Sequence, residues 1–533
     1  MNNAFRLIAS AIALAAGHAA AAEFAYIGVN KTGDLGTYFA ATNVGGTYDF
    51  TYSVLDAIGN LVYEGHTNGF VLPDNQQAIF ATWGLRNSYG VPVSAGTYSV
   101  RWKMVNTQTG SFHTEKHNVG VEAASGNMAG IPMDIITSST GDKVYRLAAN
   151  SSQRKAAFFL EGIDPLNMTN RVGLLGKSQF MLYNGPGYPR ALGYDCYIVN
   201  WADGGASVAT NAQRFRSIYD QIQGMYGGYT DVVVIGKSMG AVVARYALAQ
   251  METEGLRPPV SKFISIDAPQ QGAQINLTLQ ASLLHLSRTP NLLESIVINL
   301  FGGASSKLAD AKTILYSGAS KDLLDLNVGL VEGYIRSSVN NSCVFDVSKL
   351  GEIRGKSSSW RDSFFSGLAN LGRGGYPTFC KNYAIAYSPA QTLYTSASSD
   401  QLMANYKPAV TSYELYSDPK DLNQGSRLNQ FGLGYSPVNG YIDGLVFVPL
   451  ESAIDYRGPQ YRGSIKPMPT PEDLQWWSMF DKIYLKANAV DHENCPDEEI
   501  CQFVKSAFAD TSPKRTAWPT FNIAPILSLI LGD

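Results

Sequence analysis

The chain has 533 residues, of which 45% are hydrophobic and 16% charged, with a formal net charge of −3. That balance supports a large buried core and two or three domains, and it gives no reason to expect a nucleic acid or an acidic polymer as partner. The low charge fraction suits an extracytoplasmic or lipid-handling protein.

The N-terminus reads as a processing segment. Arg6 gives a positive start, Leu7 to Ala16 an apolar stretch, and Ala20-Ala21-Ala22 a small-residue cleavage site before Glu23. Residues 1–22 are therefore expected to be a signal peptide, and the mature chain to be secreted or periplasmic. In that oxidising setting Cys495 is expected to pair with Cys501, and Cys343 with Cys380. Cys196 lies inside an apolar strand and is expected to stay a free thiol.

From 23 to about 125, polar and apolar residues alternate in short runs broken by Gly, Asn and Asp turns. This is the pattern of an all-β sandwich, with a hairpin over Asp56–Val62. The turn Trp83-Gly84-Leu85, followed by Gly90-Val91-Pro92-Val93-Ser94-Ala95-Gly96-Thr97-Tyr98, resembles the immunoglobulin-like module of bacterial flagellar hook-cap proteins. The resemblance implies a fold and a spacing or docking role, and no chemistry. A Gly/Ser-containing linker is expected near 123–130.

From about 131 to 533 the texture changes to strand–helix alternation, an α/β class with a mostly parallel sheet. Strands are expected at Ala156–Leu160, Tyr194–Val199, Asp231–Ile235, Phe263–Ile266, Asn382–Tyr387 and Lys482–Leu485, with a helix at about Asn211–Gln223. The stretch from about 274 to 375 mixes apolar helical segments with Ser/Gly breaks and is expected to form a helical cap. The apolar tail Phe521–Leu531 is too short to span a bilayer.

The chemistry centres on Gly236-Lys237-Ser238-Met239-Gly240, set between a β-branched strand and the helical run Ala241–Leu248. Strand, G-x-S-x-G, helix is the context of a nucleophile elbow, whose tight turn excludes side chains at both glycines and projects Ser238. A serine hydroxyl needs a base, and the chain has only six histidines. His18 lies in the signal segment, and His66, His113 and His117 lie in the β-sandwich. His285 sits in the apolar run Leu283-Leu284-His285-Leu286, as a packed or cap residue would. His492, after the last strand, is the expected base.

The run Gly236–Tyr246 resembles the elbow of α/β-hydrolase lipases and esterases, G-H-S-M-G-G-x-x-A-R-Y. The run Asp267-Ala268-Pro269-Gln270-Gln271-Gly272-Ala273 is similar to the same family. The resemblance implies a doubly wound sheet, a Ser–acid–His order along the chain, and no metal or cofactor. Asp443 opens a D-G-L-V segment like the one that carries the acid in bacterial lipases, and is the expected acid, with Asp455 as the alternative. The Met239 and Ile163 amides are the expected oxyanion donors. The chain departs from the family at Lys237, where His is usual, at Ala241, where Gly is usual, and at Glu161, where the family often has His. The implied activity is cleavage of carboxylic esters of lipid character. Amidase, thioesterase, acyltransferase and polyester-depolymerase activity would use the same residues. The alternative is an exported surface-associated binding protein whose hydrolase domain is inactive, with the β-sandwich as its docking part.

Overall fold

The computed structural model describes residues 26–121, 134–165, 174–182, 187–280, 313–388, 445–458 and 471–515, each with short interruptions, and short strands between 402 and 437. The expected signal peptide, the linker, His285, Asp443, Cys495 and the apolar tail lie outside the described residues.

The N-terminal part is two antiparallel sheets. β1 (Tyr26–Thr32), β2 (Leu35–Thr42) and β5 (Gln76–Trp83) form a three-stranded sheet. β3 (Gly46–Leu55), β4 (Leu61–Leu72), β6 (Gly96–Asn106) and β7 (Phe112–Val121) form a four-stranded sheet in the order β4-β3-β6-β7. Alternation explains the core. Tyr48, Phe50, Tyr52 and Val54 on β3 point inward with Val100, Trp102 and Met104 on β6, and Trp83 closes the cluster. The hairpin expected at Asp56–Val62 joins β3 to β4, and the Asp56 carboxylate accepts the Ile58 and Asn60 amides to set its turn.

The second part is built on eight strands. They are β8 (Asp134–Thr137), β9 (Lys143–Leu147), β10 (Lys155–Leu160), β11 (Tyr194–Asn200), β12 (Asp231–Lys237), β13 (Val260–Ile266), β14 (Lys381–Ala386) and β16 (Lys482–Leu485). Strand β15 (Leu445–Val448) lies outside this sheet. The order across the sheet is β16-β14-β13-β12-β10-β11-β9-β8. All neighbours are parallel except β9, which runs antiparallel to both β8 and β11. This order, with one antiparallel strand near one edge and the helices described below, is the α/β-hydrolase sheet.

Burial on both faces explains why its central strands read as unbroken apolar runs. On β10, Ala156, Phe158 and Leu160 enter one core while Ala157 and Phe159 enter the other. On β12, Val232 and Val234 face the first core, and Val233 and Ile235 the second. Phe158 stacks on Tyr197 with ring centroids 4.9 Å apart, joining β10 to β11.

Helix α1 (Val208–Met225) and helix α2 (Met239–Thr253) cover the first face. α1 starts where the Ser207 side chain accepts the Thr210 amide. Between β13 and β14, where a cap was expected, the described residues include helices α3 (Gly318–Leu323) and α4 (Ser359–Ala369). Leu315, Ala319, Leu323, Val328 and Leu368 from this stretch join the core of that face. Helix α5 (Glu498–Ala509) puts Ile500, Val504 and Phe508 against the other. Among the described residues no helix is long and apolar enough to cross a membrane.

The cysteine expectation is corrected. Cys380 and Cys501 are free and buried, so neither expected bridge forms. Cys380 begins its turn into β14 among packed core residues, and Cys501 lies on the inner face of α5. Cys196 is a buried free thiol, as its position in an apolar strand implies.

Candidate active site

The turn from β12 into α2 is dictated by its glycines. A Cβ on Gly236 would lie 2.3 Å from the Ala241 backbone, and one on Gly240 would lie 2.2 Å from the Leu160 carbonyl oxygen. Neither neighbour can yield, since both are backbone, one in the first turn of α2 and the other at the end of β10. Ser238 between them takes φ 54°, a left-handed conformation costing a non-glycine residue about 1–3 kcal/mol. Its amide donates to the Ile266 carbonyl at 3.0 Å, so β13 helps hold the strained turn.

Ser238 Oγ lies 2.7 Å from His492 Nε2, and His492 Nδ1 lies 2.7 Å from Asp267 Oδ2. All three residues are buried, with His492 and Asp267 each 1% exposed. Asp267 Oδ1 also accepts the Tyr387 amide at 3.0 Å, and the Asp267 amide donates to the Ile385 carbonyl at 2.6 Å. A carboxylate can only accept, so Nδ1 carries the proton and Nε2 is left as the acceptor for the serine hydroxyl. The Phe447 ring, on β15, lies over the imidazole with centroids 4.8 Å apart.

The three groups come from the carboxyl ends of three strands in the sheet, which is where such sheets gather their chemistry. Ser238 follows β12, Asp267 follows β13, and His492 follows β16. Ser238 and His492, singled out in the sequence, are brought together. The carboxylate facing His492 Nδ1 is that of Asp267, which the sequence reading did not name as the acid; Asp443, the expected acid, lies outside the described residues. The alternative, Asp455, is buried in a different cluster with Arg245 and Arg457. A signal for Asp267 was present in the sequence, since it opens the D-A-P-Q-Q-G-A run directly after a core strand.

Met239 is the first residue of α2, so its amide sits at the positive end of that helix beside Ser238. Gly162 places the other expected donor. A Cβ there would come within 3.0 Å of Ser238 Cβ and 3.5 Å of Oγ, so the chain carrying Ile163 runs against the nucleophile. Glu161 is buried with its carboxylate 3.7 Å from Lys177 Nζ. Its carbonyl accepts the Trp201 indole at 3.0 Å, and the Asp164 amide donates to the Gly204 carbonyl at 3.0 Å. These two bonds brace the turn that carries Ile163. Lys237 turns its ammonium over the Tyr387 ring, 5.6 Å from the centroid.

A hydroxyl, an imidazole and a carboxylate in this chain can deliver an alkoxide-like oxygen to an acyl carbon at neutral pH. Among the described residues no group of three or more His, Cys, Asp or Glu could hold a metal ion.

No family model matches the chain, and no curated protein matches it. Solved structures resembling it include a thermostable carboxyl esterase from Bacillus coagulans, at 13% identity over 48% of this chain and 79% of that one, with a TM-score of 0.23. The Pyrococcus furiosus esterase Pf2001 is 14% identical over 38% and 71%, with a TM-score of 0.23. Est1E from Butyrivibrio proteoclasticus is 12% identical over 28% of this chain and 55% of its own, with a TM-score of 0.20. The chain thus spans little more than half of the Butyrivibrio protein. These likenesses cover only part of the chain.

Proposed function

We propose that the protein is an exported serine hydrolase that cleaves carboxylic esters, with a lipid-like acyl chain as the favoured substrate class. The observation that carries this reading is the buried chain of hydrogen bonds from Ser238 through His492 to Asp267, beginning on a strained elbow.

In the first half-reaction Ser238 Oγ bonds to the acyl carbon as its proton passes to His492 Nε2. The carbonyl oxygen becomes an oxyanion facing the Met239 and Ile163 amides, and Asp267 holds the imidazolium in register. Collapse breaks the carbon–oxygen bond to the alcohol, which leaves with the proton from Nε2. Water then attacks the acyl-serine as its proton passes to Nε2, and the bond from Ser238 Oγ to the acyl carbon breaks as Nε2 returns that proton to Oγ, releasing the carboxylic acid and free Ser238. The preference for an acyl chain over a small polar ester rests on the apolar sequence runs between about 274 and 375. The N-terminal β-sheets are the part suited to docking at a surface, as an immunoglobulin-like module does, and the first 22 residues direct export.

The test is hydrolysis of p-nitrophenyl esters from acetate to palmitate by the mature protein and by Ser238→Ala. Turnover should fall by roughly 10³-fold or more in the variant, and a fluorophosphonate probe should label Ser238 alone. A folded wild type that neither turns over nor labels would leave a surface-binding protein as the reading.

A further inference from the structure

Among the described residues, three that are not glycine have a positive φ: Ser238 at 54°, Asp267 at 42° and Asp455 at 43°. Two of these belong to the proposed triad. Strain at such positions persists only where the surroundings enforce it, and it concentrates at functional sites. The third therefore calls for a reason of its own.

Asp455 is 1% exposed and lies between two guanidinium groups. Arg457 Nη2 donates to its Oδ2 at 2.9 Å, and Arg245 Nη2 stands 3.7 Å from the same oxygen. Burial alone would raise this carboxyl. Arg457 and Arg245, with the hydrogen bonds from Arg457 and Gln271, reverse that and hold it below the ordinary carboxylate range. Arg245 is on α2, two turns beyond Ser238, and its guanidinium covers the Tyr376 ring at 3.8 Å. The same guanidinium donates to the Gln270 carbonyl at 2.8 Å and to the Gly375 carbonyl at 2.8 Å.

The other oxygen of Asp455 leads to the acid. Gln271 Nε2 donates to Asp455 Oδ1 at 2.8 Å and to the Tyr456 carbonyl at 2.7 Å. Ser452 Oγ accepts the Gln271 amide at 3.0 Å and donates to the Gly272 carbonyl at 2.7 Å. The Gln274 amide donates to the Phe447 carbonyl at 2.7 Å, and the Phe447 ring lies on His492. The segment from Phe447 to Arg457 thus touches the nucleophile helix, the loop behind the acid, and the histidine itself.

We propose that Asp455, acting through Gln271 and Arg245, is a positioning residue that fixes the Asp267 loop against the Ser238 helix, so that His492 is held in line with both. The inference rests on the ester-hydrolase reading above. Asp455 touches neither Ser238 nor His492 nor any reacting atom. Its effect is transmitted through the five-residue loop Asp267-Ala268-Pro269-Gln270-Gln271, whose last two members it and Arg245 restrain. Reacting groups displaced by about 1 Å lose up to roughly 10²-fold in rate, so such a restraint is read in kcat.

Two variants test it. Asp455→Asn keeps the shape and an acceptor for Gln271 but removes the charge shared by the two arginines. Gln271→Leu breaks the link to the acid loop without leaving a buried charge unpaired, and it serves where Asp455→Asn fails to fold. Sites are titrated with a fluorophosphonate before p-nitrophenyl butyrate kinetics, so unfolded molecules are not counted. Both variants are expected to lower kcat per titrated site by roughly 10- to 100-fold with KM within about twofold.

Unchanged kcat per titrated site, with only a lower melting temperature, would overturn the proposal and leave the segment a structural filler. A wild type that neither turns over nor labels would overturn it together with the hydrolase reading. An active wild type with unaffected variants would overturn it alone.

Discussion

Asp267 shows what one carboxylate must do to serve a buried histidine. One oxygen accepts a hydrogen bond from the imidazole N–H and the other accepts the Tyr387 amide, so both are engaged and the carboxylate cannot rotate away. Asp267→Asn is expected to lower kcat by about 10³- to 10⁴-fold, because an amide donor facing Nδ1 favours the wrong tautomer. Asp443→Asn should stay within about threefold of wild type. Steady-state ester hydrolysis distinguishes the two, and the reverse pattern would restore Asp443 as the acid. The difference in legibility has a physical cause. Ser238 was readable because its glycines and flanks are local, and His492 because histidines are few. The acid is recognised by which strand end lies next to the histidine, and no spacing in the sequence encodes that. A likeness to a D-G-L-V segment therefore pointed to Asp443, while Asp267 stood in a run already noted for other reasons.

At the scale of elements, the central strands and α1 were legible since burial on both faces leaves apolar runs and burial on one leaves a helical stripe. The antiparallel strands β8 and β9 were not foreseen. They lie at the sheet edge, where β8 is mostly exposed and its composition carries little signal. α3 was legible only as part of an apolar stretch, yet it grips the start of α1. Asp322 on α3 accepts the Val208 amide at 2.8 Å. Burial pushes the Asp322 carboxyl up to about 6, against the pull of that amide and of Lys321. Its unfolded value is about 3.9. Between those values the folded chain keeps a proton that the unfolded chain has released, so stability falls as pH rises through that window. Above it the buried charge is a standing penalty on the order of 2 kcal/mol. Asp322→Asn retains an acceptor for Val208 and removes the charge. Its melting temperature should exceed that of wild type by a few degrees at pH 7.5, and the gain should disappear near pH 4. An equal difference at both pH values would show that the carboxylate is not what costs stability.

Across the whole molecule, the division into an antiparallel β part and an α/β part was legible from texture, because period-two alternation and strand–helix alternation look different over tens of residues. The thiols of Cys380 and Cys501 were not, since pairing depends on contacts that sequence does not reveal, whereas Cys196 was readable from its apolar strand. Burial pushes the Cys380 and Cys501 thiols up to about 12 and raises Cys196 as well, so all three are protonated and unreactive at neutral pH. Iodoacetamide should spare Cys196, Cys380 and Cys501 in the native protein and alkylate all three in guanidinium without reductant, as read by peptide mass mapping. Failure to alkylate Cys501 under those conditions would reinstate a bridge to Cys495.

The hydrogen bond between Ser238 and His492 joins residues 254 apart in the chain, and that between Asp267 and His492 joins residues 225 apart. Nucleophile and acid thus belong to early, neighbouring strands, and the base arrives with the sheet's last. A chain still being synthesised, threaded unfolded through a channel, or cut and separated between Asp267 and His492 carries a serine with nothing to deprotonate it. Under the proposed mechanism the base joins the nucleophile only when the outermost strand docks, so reactivity would follow the order of folding.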